Sequence, residues 1–399
     1  MDAGLTGTLA VLWSVGEPDG CRVVGQAGVG GLEVVERLRV LPSATASRYV
    51  VSAASGPVSR RLLTSHNGIR SRRRAWQRSA AGLALGVAPR ARRLSTPLDL
   101  GIETSRAGDR AAVSFPDHLR AELARPDALL ALGIREISYA HSKPVVQLFE
   151  ASGAPLAYAK LGWSQSTAPL VRHEAGTLSR VAERGALPGV RSAALLGHGT
   201  WRGHPYLVLE PLPAAITTLP RTVAPPPGSR AVAGTLMEQP VADSPWWRQL
   251  TARVAELGQG RIDEAARRGV ALLRGRVAER RWTFGAWHGD WTWWNVGECD
   301  SELWAWDWEH YAASAPYGFD DLHWSVSMEC QILGKPLPEA VSRARQPLGR
   351  AQARSDDLML AYLTEMAVRS AEVSAHRPDA PLELHEGLTA ALNAEIARG

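Results

Sequence analysis

A chain of 399 residues, 45% hydrophobic and 21% charged, has the balance of an ordinary globular protein and is long enough for two or three domains. The net charge is +5, and the three cysteines, Cys21, Cys299 and Cys330, are too few and too scattered for a disulfide framework or a zinc-ligand pair, so they are expected as buried thiols of a reduced chain. Met1 to Gly16 has no basic n-region and only a short apolar run, Leu9 to Trp13, which argues against a signal peptide or a spanning helix and makes the cytoplasm the expected compartment.

Residues 1–125 alternate short β-branched runs, Cys21 to Val24 and Tyr49 to Ser52, with Gly and Pro breaks, and continue into an Arg- and Ala-rich stretch, Arg70 to Val87, with helical character. A separate mixed α/β N-terminal module is expected there. Gly25, Gly28, Gly30 and Gly31 match neither G-x-G-x-x-G nor the P-loop with its Lys and Ser/Thr, so no nucleotide site is expected on them. No Asp or Glu occurs between Glu36 and Asp99, whereas Arg60, Arg61, Arg70, Arg72, Arg73, Arg74, Arg78, Arg90, Arg92 and Arg93 all fall in that interval. Such a run reads as a solvated basic face, suited at most to peripheral contact with an anionic membrane or a polyanion. Trp76 is the one aromatic within 60–93 and no nucleic-acid motif accompanies it, so nucleic acid is not an expected partner.

Apolar runs broken by tight turns follow, and they predict antiparallel strands at Ile134 to Tyr139, Pro144 to Phe149 and Leu156 to Leu161, with a hairpin turn at Ser152-Gly153. A helix is expected over Pro169 to Arg184 and a further strand over Tyr206 to Leu209. The stretch Pro211 to Pro240, rich in Pro, Gly and Ala, reads as a linker or irregular crossing. Beyond it, Trp246 to Glu279 is helical in pattern, Trp282 to Trp308 is strand and loop, and Asp356 to Arg398 holds two amphipathic helices parted near Pro378 and Pro381. There is no internal repeat.

The chemistry concentrates between His288 and Glu309. There His288-Gly289-Asp290-Trp291-Thr292-Trp293-Trp294-Asn295 precedes a hairpin around Cys299 to Ser301, and Trp306-Asp307-Trp308-Glu309 follows it. Phosphoryl transfer asks for a carboxylate to orient and accept from an attacking hydroxyl, and for hard oxygen ligands to magnesium. Asp290 suits the first role, and Asn295 with Asp307 suits the second, the hairpin bringing Asp307 back beside Asn295. His288 is expected to brace the loop through hydrogen bonds rather than to transfer protons.

H-G-D-x-x-x-x-N followed by D-W-E resembles the aminoglycoside phosphotransferase and choline kinase family, relatives of protein kinases, from about Leu132 to the C-terminus. The resemblance implies an α+β fold: a two-lobed kinase-like body with a small antiparallel-sheet N-lobe at 126–212 and a mainly helical C-lobe at 213–399, preceded by the module at 1–125. It implies that Lys160, on the strand Ala157-Tyr158-Ala159-Lys160, contacts the α- and β-phosphates of ATP and that Glu174 pairs with it. Lys160 is one of three lysines in an Arg-dominated chain. Tyr206 to Pro211, with Glu210, resembles the hinge whose backbone holds an adenine ring. One member of the pair Asp320 and Asp321 resembles an Asp that stabilises the catalytic loop, and the residues alone leave both open. The loop expected over the phosphates, Ala140 to Pro144, lacks glycine. Trp291, Trp293 and Trp294 stand where relatives carry less aromatic residues, and are expected to shape the acceptor pocket.

These features together predict an ATP- and Mg2+-dependent phosphotransferase acting on a hydroxyl of a small molecule: a sugar, glycan precursor, amino alcohol or antibiotic. H-R-D, D-F-G and A-P-E are absent, which disfavours a protein substrate. The alternative is an inactive nucleotide-binding scaffold docked on a membrane or polyanion through the Arg-rich region.

Overall fold

The structure is a computed structural model that describes residues 1–24, 31–54, 56–65, 72–87, 95–104, 110–134, 142–184, 189–222, 224–226, 228–345, 355–376 and 383–398. The chain forms two compact units, one of residues 1–175 and 193–216, the other of residues 176–192 and 217–399.

In the first unit the chain runs through α1 (Ala3–Trp13), β1 (Arg22–Val23), β2 (Leu32–Leu41), β3 (Tyr49–Ser52), α2 (Gly56–Thr64), α3 (Arg72–Val87), β4 (Thr96–Glu103), α4 (Arg110–Val113), α5 (Phe115–Glu122), β5 (Leu129–Gly133), β6 (Val145–Phe149) and β7 (Pro155–Leu161). It then enters α6 (Thr167–Arg184), where it passes to the second unit for β8 (Val190–Arg191) and returns for β9 (Leu195–Trp201) and β10 (His204–Leu209). Nine strands make one sheet in the order β1-β4-β2-β3-β5-β6-β7-β10-β9. In β2 alternation sends Leu38 and Val40 to one core and turns Arg37 out on the other face, where Leu41 farther along is buried with Val51, Leu62 and Leu63. The Asp2 carboxylate caps α1 by accepting from the Leu5 N–H, and α1 buries Leu5, Leu9 and Leu12 in the core formed with Leu100, Leu130, Val146 and Val208. At the β6–β7 turn Gly153 takes φ +84, which a residue with a Cβ adopts only under strain.

The second unit continues with β11 (Thr217–Thr218), α7 (Gly228–Ala233), β12 (Met237–Pro240), α8 (Pro245–Ala255), α9 (Arg261–Val277), β13 (Arg281–Trp287), β14 (Val296–Cys299), β15 (Glu302–Ala305), β16 (Ala312–Pro316), α10 (Phe319–Ser327), α11 (Leu337–Ala344), α12 (Ser355–His376) and α13 (Glu383–Ala397). Two small sheets, β11-β14-β15-β8 and β12-β13-β16, accompany a helical core in which Leu250, Leu273, Leu322, Met359, Leu363 and Leu392 are buried. Asp300 and Ser301 both have positive φ, the geometry of a two-residue hairpin turn matched to strand twist, and it joins β14 to β15.

An antiparallel-sheet body and a mainly helical body are both present, as the resemblance implied, but the sheet is larger than expected. β3 pairs with β5 through Tyr49↔Gly133, Val50↔Leu132 and Val51↔Ala131, so residues before and after 125 share one sheet and one core. A strand forms at Leu129–Gly133, and the strand expected at Ile134 to Tyr139 falls, beyond its first residue, outside the described residues. The stretch read as a linker contains β11, α7 and β12. Cys21 and Cys299 are buried and Cys330 is half-buried, all as free thiols.

Within the Arg-rich region Arg60 and Arg61 are exposed, but Arg78 is buried with its guanidinium 5.3 Å from the Tyr49 ring centroid, so it does not belong to a solvated face. Residues 70, 90, 92 and 93 and the side chains of 72–74 lie outside the described residues, as do Gly25, Gly28 and Gly30. Among the described residues no helix is long and apolar enough to cross a membrane.

Candidate active site

In the first unit, β7 presents Lys160 toward α6, where Glu174 meets it. Nζ donates to both carboxylate oxygens, at 2.7 and 2.8 Å, with the Lys160 side chain 9% exposed and Glu174 fully buried. A buried ammonium is tolerable only with such a partner. Glu210, just past β10, is exposed, and its N–H donates to the Ala194 carbonyl at 2.8 Å. Of the hinge hydrogen-bonding groups expected at Glu210, the N–H is therefore already engaged.

In the second unit, the loop from β13 to β14 carries His288 to Asn295, and the chain beyond β15 brings Asp307 back to it. The Trp306 N–H donates to the Asn295 carbonyl at 3.1 Å, which fixes the return strand beside the loop. Asp307 itself sits at φ 65, a left-handed conformation that aspartate and asparagine adopt more readily than other non-glycine residues. Asn295 is buried and donates its side-chain amide to Asp290 Oδ2 at 2.7 Å and to the Asp290 carbonyl at 3.1 Å. The Asp290 side chain remains 31% exposed, so its carboxylate is held yet open to a reactant.

His288 is fully buried beneath this loop. Its Nε2 lies 3.1 Å from the Trp306 carbonyl, and its Nδ1 accepts from the Asp290 N–H at 3.3 Å. Those two partners define the tautomer, with the proton on Nε2. Burial lowers its pKa to about 4, against the pull of Asp290 and Asp307 in the other direction. The ring is therefore a neutral brace that spans both halves of the motif.

Asp320, at the start of α10, accepts from the backbone N–H groups of His288 at 2.8 Å and Gly289 at 3.1 Å. Burial raises its pKa to about 6, opposed by those same two donors. Asp321 instead accepts from the Ser229 hydroxyl of α7, so the loop-stabilising geometry belongs to Asp320. One residue apart on a helix means about 100° of rotation, and only one of the pair can face the loop. Gly289 has φ +83, and a Cβ there would stand 2.2 Å from the His310 carbonyl oxygen. No other residue fits that position.

Two loop contacts come from residues that the sequence did not single out, His323 and Arg369, and a third such residue, Tyr362, backs His323. His323 Nε2 is 3.1 Å from Asp290 Oδ1, and its Nδ1 is 2.9 Å from the Tyr362 hydroxyl. Arg369 donates to the Gly289 carbonyl at 2.8 Å, with its guanidinium 4.3 Å from the Trp287 ring centroid and a further bond to Glu365. A sequence signal did exist for His323: it follows Asp320 by three residues and so shares its helix face. Trp291 is fully buried in the core, which removes it from any acceptor pocket, whereas Trp294 is 36% exposed and Trp293 stacks beneath Arg221 at 4.3 Å.

The donor set also bears on magnesium. Asn295 spends its amide nitrogen on Asp290, which leaves its side-chain oxygen as a candidate hard ligand, and the Asp307 carboxylate is the second candidate. Among the described residues no group of three or more His, Cys, Asp or Glu gathers as a metal cage. Two protein oxygens fit a cation that keeps several waters and takes its remaining ligands from phosphates.

No protein-family model matches the chain, and no curated protein does. Solved structures similar to it include the aminoglycoside phosphotransferase APH(4)-Ia, at 12% identity and a TM-score of 0.46 over 71% of this chain and 98% of that one. A choline/ethanolamine kinase family protein from Mesorhizobium loti is 13% identical, with a TM-score of 0.41 over 70% of this chain and 94% of that one. The amicoumacin kinase hAmiN, solved with AMP-PNP, Ca2+ and Ami, is 12% identical, with a TM-score of 0.39 over 64% and 86% of the respective chains.

Proposed function

We propose that this protein transfers the γ-phosphate of ATP to a hydroxyl group of a small molecule, with Asp290 as the proton acceptor. The observation that carries the reading is the Asp290 carboxylate, clamped by the buried Asn295 amide at 2.7 Å while still 31% exposed. A group that must accept from a substrate hydroxyl has to be both fixed and reachable.

In this reading the acceptor hydroxyl donates to Asp290 as its oxygen bonds to the γ-phosphorus, the bond to the β-phosphate oxygen breaks, and ADP leaves. Asn295 and Asp307 would hold Mg2+, which when bound neutralises charge on the phosphates. Lys160, kept in place by Glu174, would serve the α- and β-phosphates as a point charge. His288 and Asp320 keep the loop backbone in register so that Asp290 and Asn295 meet. Arg369 holds the same loop from α12.

The test is ADP release from ATP and Mg2+ against a panel of hydroxyl-bearing metabolites, aminoglycosides and amino alcohols. Turnover with at least one acceptor, lost in Asp290→Asn, supports the reading. Nucleotide binding by calorimetry with no turnover on any acceptor supports the inactive scaffold instead.

A further inference from the structure

The two helices behind the catalytic loop address it in an ordered way. From α10, Asp320 binds the N–H groups of residues 288 and 289, and one turn later His323 reaches the side chain of residue 290. From α12, Arg369 binds the carbonyl of residue 289, and two turns earlier Tyr362 reaches His323. Spacings of three and seven residues put each pair on a single helix face. Three side chains thus hold three consecutive loop residues with Tyr362 behind one of them, and of these four only His323 touches the Asp290 carboxylate.

We propose that His323 is a positioning residue for Asp290 and that Tyr362 sets its proton: the Tyr362 hydroxyl donates to Nδ1, and Nε2–H donates to Asp290 Oδ1. The proposal rests on the reading of Asp290 as the proton acceptor.

The polarity follows from what each group is able to do. A carboxylate only accepts, so the ring nitrogen 3.1 Å from Oδ1 must carry a proton. In a neutral imidazole the other nitrogen then needs a donor, and the Tyr362 hydroxyl at 2.9 Å supplies one. Tyr362 is 3% exposed and its ring packs edge-on against Phe319 at 5.8 Å, so the hydroxyl is fixed in place. Burial raises its pKa, which keeps the phenol protonated and able to donate.

With Asn295 on Oδ2 and His323 on Oδ1, both carboxylate oxygens are tied and the plane of the group is set. Each oxygen keeps a further lone pair for an incoming hydroxyl. His323 thereby raises the fraction of time that Asp290 spends in the reactive orientation, an effect on the chemical step rather than on nucleotide binding.

The experiment compares full-length wild type, His323→Ala, His323→Gln, Tyr362→Phe and Asp290→Asn by steady-state ADP release, together with 15N-resolved imidazole NMR of the wild type. Expected are a fall in kcat of about 10- to 100-fold in His323→Ala with the KM for ATP unchanged, substantial recovery in His323→Gln, whose amide donates from the same place, and an Nε2–H tautomer for His323. An Nδ1–H tautomer overturns the proposal, even before an acceptor is known. So does a wild-type kcat in His323→Ala, or a loss that His323→Gln fails to recover. Turnover that survives Asp290→Asn strikes the underlying reading; turnover lost in Asp290→Asn but intact in His323→Ala strikes only the role of His323.

Discussion

Asn295 binds Asp290 twice, once at the carboxylate and once at the main-chain carbonyl five residues back, so the amide and the proposed base move as one body. Asn295→Ala is therefore expected to cost activity in two ways, through a loosened Asp290 and a lost metal oxygen. Asp290→Asn should lower kcat by about 100-fold or more, in line with the contribution of a positioned base. Asp307→Asn should instead raise the Mg2+ concentration needed for half-maximal turnover. Magnesium titrations of ADP release separate the two behaviours, and identical titration curves for both variants would contradict the assigned roles.

Lys160→Ala leaves the Glu174 carboxylate without its cation at a fully buried position. Uncompensated buried charge of this kind costs about 3 to 5 kcal/mol. Urea unfolding should show that loss, and Lys160→Met with Glu174→Leu should regain much of it because both charges go together. The double variant is expected to stay weak for ATP, which distinguishes a nucleotide role from packing alone.

Gly289→Ala tests the loop backbone. The added methyl would need a φ of +83 and would fall 2.2 Å from the His310 carbonyl, so the loop must shift. Because Gly289 also gives its N–H to Asp320 and its carbonyl to Arg369, the shift reaches both anchors. The expected outcome is a protein destabilised by about 1 to 3 kcal/mol with turnover close to background, read by thermal unfolding and ADP release.

His288 and Asp320 make opposite contributions to the pH dependence of stability. His288 falls from 6.5 to about 4 on burial, so between those values the unfolded chain holds a proton that the folded one lacks, and stability rises with pH. Asp320 rises from 3.8 to about 6, so over that window the folded chain holds the extra proton, and stability falls with pH. The two windows nearly coincide and largely offset each other. In His288→Gln only the Asp320 dependence remains, and the stability gap between wild type and variant should widen as pH rises from about 4 to 6.5. Urea midpoints across that range check it.

The proximity of residues close in sequence was legible: Asp290 and Asn295 precede one hairpin and Asp307 follows it, and the structure brings Asn295 to Asp290 and the chain at Trp306 back to Asn295. What could not be read was the support. His323, Tyr362 and Arg369 lie on helices, up to 80 residues from their loop partners. Spacing alone puts His323 on the helix face of Asp320, but a lone Tyr or Arg in an amphipathic pattern announces nothing until packing brings it to the site. The choice between Asp320 and Asp321 failed for the same reason, since helix rotation decides it. In the fold, β6 and β7 were anticipated from their apolar runs and the intervening turn. β5 was not anticipated, because Leu129–Gly133 holds no β-branched or aromatic residue and is a strand by virtue of its two neighbours.

The pairing of β3 with β5 sets a limit on how the chain can be divided. Cutting near residue 125 would strip β5 of its partner on that side, exposing a row of unpaired N–H and carbonyl groups beside Leu130 and Leu132. Such an edge recruits other strands. A shortened version retaining only the kinase-like motifs is accordingly expected to self-associate, because it loses β3, the strand that covers that edge.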